Sequence, residues 1–182
     1  VPEEVKLPAF FYRLPPRGQR AYLKSDAIDQ FNFVPSGAAL ARTQAMLETL
    51  PSGSLAAINL SAQHLINEVC RVLGVAPVQV EIRGVRPRDP RSELHGIFYP
   101  NSRPPRMVVW MRTAQRHDVV RPKTFLRTLL HELGHYLDYS CLNLGDSFHT
   151  KGFFKRESFL VRSLYVPPRE TAPALSRHPK AP

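Results

Sequence analysis

The stretch Thr128-Leu129-Leu130-His131-Glu132-Leu133-Gly134-His135-Tyr136-Leu137 decides how this chain is read. Wrapped as a helix, positions i and i+4 lie on one face a turn apart. His131 and His135 then present two imidazoles to one point, with Glu132 offset beside them. The surrounding residues are uncharged and mostly apolar, which marks a buried helix and not a solvated one. Two histidines and a glutamate inside a core need a partner, because burying polar groups unpaired is costly. One zinc ion per chain supplies that partner, held by His131 and His135, and Glu132 is then placed to act as general base on the metal's water.

A catalytic zinc takes three protein ligands and keeps one position open, so the third must come from elsewhere. Two candidates stand downstream. If 152–165 is a helix, Phe153, Phe154, Leu160, Val161, Leu164 and Tyr165 mark its apolar face, and Glu157 falls in the middle of that face. A carboxylate there needs a cation, and the zinc of the preceding helix is one. His149, in the loop before that helix, is the alternative third ligand; beside a glutamate ligand it would be a supporting group or an oxyanion donor. Asp138 is placed to accept the free N–H of a ligand histidine. Tyr165 and Tyr139 are further oxyanion candidates, while His64, His95 and His117 have no paired spacing and read as ordinary histidines.

Outward from this segment the chain reads as one α+β domain. Pro15-Pro16 and Pro35 bracket a short helix around Ser25 to Asn32, and residues 1–19 read as extended. Ser36 can cap a helix over 37–50, and Pro51-Ser52-Gly53 breaks it. Ser61 can cap a second helix running to Leu73, with Gly74 placed to end it. The period then changes to alternation over 78–82, a strand. Segments 94–99 and 107–111 are further strands joined economically as a hairpin. Helices over 123–139 and about 152–165 follow. The domain spans 20–166, and the proline-rich segment 167–182 reads as a disordered tail.

The 182 residues carry a formal net charge of +10, which draws a protein toward nucleic acid or other polyanions. The basic residues are dispersed, Arg83, Arg86, Arg88 and Arg91 being the densest group, so nucleic acid stays a possible partner and a solvated basic surface the plainer reading. Cys70 and Cys141 form no CxxC pair and read as reduced, partly buried thiols. No run has the apolar length of a membrane-spanning helix, so no membrane is expected. The N-terminus does not read as a signal peptide, although a chain beginning at Val could have lost one. Localisation stays open, with the cytoplasm slightly favoured.

The residues 128–137 resemble the zincin metallopeptidases: an uncharged lead-in, HExxH, then apolar positions. A glutamate on the following helix is similar to the gluzincin branch, and 131–138 looks like its small and toxin-type members. A rival resemblance is to SprT-like proteases, in which a third histidine precedes a glycine and an aromatic; here His149 is followed by Gly152-Phe153, with the glycine displaced. The likeness covers about 124–165. It implies a zincin-like fold, in which a small mixed sheet with an antiparallel edge strand packs on the HExxH helix and a helix follows. It further implies that 94–99 is that edge and binds an extended polypeptide substrate, with 107–111 its inner neighbour. The expected activity is zinc-dependent peptide hydrolysis, endopeptidase before exopeptidase. The alternatives are a nucleic-acid-associated zinc protein, a protease acting near DNA or a non-catalytic binding module, and a latent protease whose proline-rich ends fill the cleft.

Overall fold

The computed structural model describes residues 7–167. A 3-10 turn at Phe11–Arg13 leads into helix α1, Pro16–Asp26. Here the structure departs from the sequence reading, which had extended chain to residue 19 and a helix around Ser25 to Asn32. Pro16 occupies the first helical position, where a fixed φ and a missing N–H cost nothing. The diproline therefore starts a helix, and 27–36 is the irregular stretch.

Helix α2, Gly37–Thr49, begins as expected at Ser36, whose Oγ accepts from the Ala39 N–H at 3.0 Å. Helix α3, Leu55–Leu73, starts earlier than Ser61 because Ser54 caps it, accepting from Ala57 N–H. Ser61 lies inside the helix and turns its hydroxyl back to the Ile58 carbonyl. Gly74 ends α3 in the left-handed conformation, φ 69°, as its position suggested.

Three strands follow: β1 (Gln79–Val85), β2 (Gly96–Tyr99) and β3 (Arg106–Arg112). Their order is β1-β3-β2, with β1 parallel to β3 and β2 antiparallel to it. The β2–β3 hairpin expected from the loop composition is present, and β2 lies at an edge. The fold is thus mixed α+β, with five α-helices and a small three-stranded mixed sheet among the described residues.

Helices α4 (Pro122–Ser140) and α5 (Lys151–Leu164) complete it. One face of the sheet, Val80, Ile82, Met107, Val109 and Met111, joins the main core with Leu65, Ile66 and Val69 of α3 and Leu126, Leu129, Leu130 and Leu133 of α4. The opposite face is covered by its own arginines, Arg83 lying over Trp110 and Arg106 over Tyr99. Cys70 is buried as expected, whereas Cys141, just past the end of α4, is exposed; both are free thiols. No helix among the described residues is long and apolar enough to cross a membrane. The proline-rich tail, beyond Pro167, lies outside the described residues.

Candidate metal centre

Helix α4 carries His131 and His135 on one face, as the spacing dictates, and their rings lie 5.0 Å apart. His149 is brought to the same point by the start of α5. It directly precedes Thr150, the N-cap of α5, whose Oγ1 accepts from the Phe153 N–H at 3.0 Å. Its Nε2 stands 2.9 Å from His131 Nε2 and 3.0 Å from His135 Nε2. Three histidines close together can hold a metal ion. Phe153 packs against all three imidazoles, at centroid distances of 5.0, 4.6 and 5.2 Å.

Partners on the far sides of the two α4 histidines settle their tautomers. Glu157 Oε2 lies 2.8 Å from His131 Nδ1, and a carboxylate only accepts, so Nδ1 carries the proton and Nε2 the lone pair. Ser147 Oγ donates to Asp138 Oδ2 at 2.7 Å. Its single proton being used, it accepts from His135 Nδ1 at 2.7 Å. His135 Nε2 is therefore a lone pair as well. Both lone pairs point at His149 Nε2, which can return at most one proton to them, whereas a metal ion accepts all three nitrogens; the donor set therefore fits a metal.

Protonation is suppressed where it would compete with a metal. Burial, helped by the charges of His131 and His149, pushes His135 down to about 3. Burial and the charge of His131 also lower His149, against the pull of Glu157. Neutral imidazole is the ligating form.

The structure places Glu157 on the apolar side of α5, as its position on the helix face required, and leaves it 4% exposed. It touches the site through His131 Nδ1, not at the point where the Nε2 atoms meet. Its other oxygen accepts from Arg127 Nη1 at 2.6 Å. Burial works to raise the Glu157 carboxyl, but the hydrogen bond and charge of His131, with Arg127, outweigh it and hold it below the usual range. Asp138 is fully buried and paired with Arg156 Nη2 at 2.9 Å, with side-chain exposures of 0% and 1%. Burial pushes its carboxyl up, against Arg156 and Ser147. The sequence reading places neither Ser147 nor Arg156 in the site, and takes Arg156 to point off the apolar face, where the structure buries it. Ser147 could have been noticed only as a hydroxyl in the loop carrying His149.

Glu132 is 5% exposed and makes no side-chain hydrogen bond among the described residues. Burial pushes it up to about 7, opposed by His131. It lies in the floor of a cleft of about 380 Å³ lined also by the three histidines, Ser147, Tyr139 and the β2 edge from Gly96 to Phe98. A second arm of about 330 Å³ meets it at Gly96, His131 and Glu132 and runs toward Glu93, His95 and Glu157. Tyr139 therefore reaches the cleft, and Tyr165 does not: it lies under Lys123 in a separate pocket with Leu47 and Pro122.

Comparison with known protein families, with curated proteins and with solved structures gave no match to this chain.

Proposed function

We propose that the protein is a zinc metallopeptidase in which His131, His135 and His149 hold the metal and Glu132 is the general base. The observation that carries this reading is the meeting of imidazole lone pairs beside an unbonded, buried glutamate, in the floor of a cleft along an unpaired strand edge. Three nitrogen ligands with one open position suit a catalytic zinc, whereas a structural site closes its fourth position with protein. Within the zincin resemblance, a third histidine favours the SprT-like branch over the gluzincin one.

When bound, zinc would supply Lewis acidity, lowering the pKa of water and polarising a carbonyl. The rest falls to the chain. Glu132, shielded from solvent, accepts a proton from the attacking water and returns it to the leaving amine. Glu157 and the Asp138–Ser147 pair hold the two helix histidines in the tautomer that leaves Nε2 free. The β2 edge offers its backbone to an extended polypeptide, giving affinity with modest demand on sequence. Tyr139 Oη, which lines the cleft and is held only by a long 3.4 Å bond to Asp146 Oδ1 and by the Ser147 backbone N–H, is a group that can donate to a developing oxyanion.

The test is Glu132→Gln. The variant should bind zinc with wild-type stoichiometry and lose hydrolysis of an unfolded protein substrate by roughly 10² or more. Wild-type turnover by this variant at full metal content would remove Glu132 from the mechanism. The net charge of +10 supports a nucleic-acid-associated role beside catalysis, and steeply salt-dependent binding to DNA would be its mark.

A further inference from the structure

The inner face of the sheet meets α4 at two levels one helical turn apart. Phe98 packs edge-on against Tyr136, with ring centroids 5.9 Å apart at 64°. One pleat along, on the same face of β2, Gly96 meets Glu132. At Gly96 the Glu132 side chain fills the place a Cβ would take. A Cβ built on Gly96 would stand 2.5 Å from Glu132 Oε1, 2.7 Å from its Cγ and 2.9 Å from its carboxyl carbon. The glycine serves here by its missing side chain and not by a special backbone conformation.

Among the described residues the backbone at this point is also free. Trp110 N–H donates to the His95 carbonyl at 3.0 Å, one step beyond the Gly96–Val109 pair. Bonded and non-bonded pairs alternate along an antiparallel ladder. Gly96 and Phe98 therefore turn their N–H and C=O away from β3, along the open edge. The two arms of the cleft meet at this same residue.

We propose that Gly96 is a positioning residue for the general base: its bare Cα is the seat against which the Glu132 carboxylate is held, directly beneath the edge that takes substrate. The functional half of this proposal rests on the peptidase reading, and the packing half does not. An alanine methyl at 96 would meet the Glu132 Cγ as well as its carboxylate, so the whole side chain must turn aside. That spoils the aim of the base, and a misplacement of about 1 Å can lose roughly 10² in rate.

The experiment has two arms. In the first, zinc-loaded Gly96→Ala is assayed on an unfolded protein substrate. The expected result is a kcat lower by about 10², with KM and zinc content at wild type. Glu132→Asp, which draws the carboxylate back by a methylene, should cost less in the alanine background than in the wild type. A wild-type kcat in Gly96→Ala, or equal costs for Glu132→Asp in both backgrounds, overturns the proposal. The second arm reads thermal unfolding alone. Valine is a strand-favouring residue, yet Gly96→Val should lower the midpoint while Glu132 is present and cease to do so with Glu132→Ala. An equal loss in both backgrounds overturns the seat. Should the wild-type protein hydrolyse nothing, the peptidase reading falls and this arm still decides the packing.

Discussion

His149 and Glu157 make the sharpest pair to perturb, because they are assigned here to different layers of the site. His149 Nε2 lies within 3.0 Å of both other Nε2 atoms, so His149→Ala removes a ligand. A full set of four zinc ligands is worth roughly 10–16 kcal/mol, which apportions about 2.5–4 kcal/mol to each. The zinc affinity of His149→Ala should then fall by about 10²–10³. Glu157 touches only His131 Nδ1, at 2.8 Å, and Glu157→Gln keeps an oxygen that can accept from it. Losing such a supporting partner costs roughly 10–100-fold, and the conservative amide should lie at the low end. The assay is competition for zinc against a chromophoric chelator at fixed pH, with circular dichroism to show that both variants are folded. A smaller loss in His149→Ala than in Glu157→Gln would refute the three-histidine site and restore the glutamate as ligand.

Other perturbations test the framework around the metal. Arg156→Met strands the Asp138 carboxylate, whose pair is buried at 1% and 0% exposure. Breaking such a pair costs about 3–5 kcal/mol, so a thermal scan should show the midpoint falling by at least roughly 6 °C. Ser147→Ala cuts the link between His135 and Asp138 and should weaken zinc by roughly 10–100-fold with a smaller loss of stability; unchanged affinity would mean that the link does not orient His135. Away from the site, hydrogen bonds from Arg71 and Ser36 pull Glu68 down from 4.5 to about 2. A depressed carboxylate stabilises the fold above its unfolded pKa and gives that up as pH falls toward 2. Between those limits the stability of Glu68→Gln should vary less with pH than that of the wild type, measured by denaturant midpoints.

What could be read from the sequence was what local rules decide. The i, i+4 histidines, the Ser36 cap, the Gly74 terminus and the β2–β3 hairpin all depend on neighbours within a few residues. The start of α1 was misjudged because a proline pair reads equally as a break or as a first turn. The start of α3 was misjudged because Ser54 and Ser61 are both good caps, and only packing chooses between them. The parallel pairing of β1 with β3, which leaves β2 outermost, depends on contacts remote in sequence. Glu157 is the most instructive case. Its place on the apolar face was legible, and so was its need for a positive partner. The partner turned out to be an imidazole N–H and Arg127, a residue of α4 whose approach no periodicity of α5 could signal. His149 stands beside a cap that fixes it, which loop composition alone does not reveal.

The candidate metal centre extends further than its three histidines, to the N-terminal helix. Ser25 of α1 is fully buried and its Oγ meets two groups. One is Thr150 Oγ1 at 3.1 Å, the residue that follows His149 and caps α5. The other is Arg156 Nη2 at 2.9 Å, which leads through Asp138 and Ser147 to His135 Nδ1. Arg156 Nη1 adds bonds to the carbonyls of Ser25 and Ile28, each 2.6 Å. Two of the three histidines are thus braced through α1 by separate routes, while the third is braced by Glu157 from α5. A hydrogen-bonded brace of this kind fixes ring orientation only while each member is satisfied. The HExxH helix provides two of the histidines by itself, but their aim belongs to the packed assembly of α1, α4 and α5. That is why a motif of five residues can be read in the sequence while the geometry that lets three histidines hold a metal cannot.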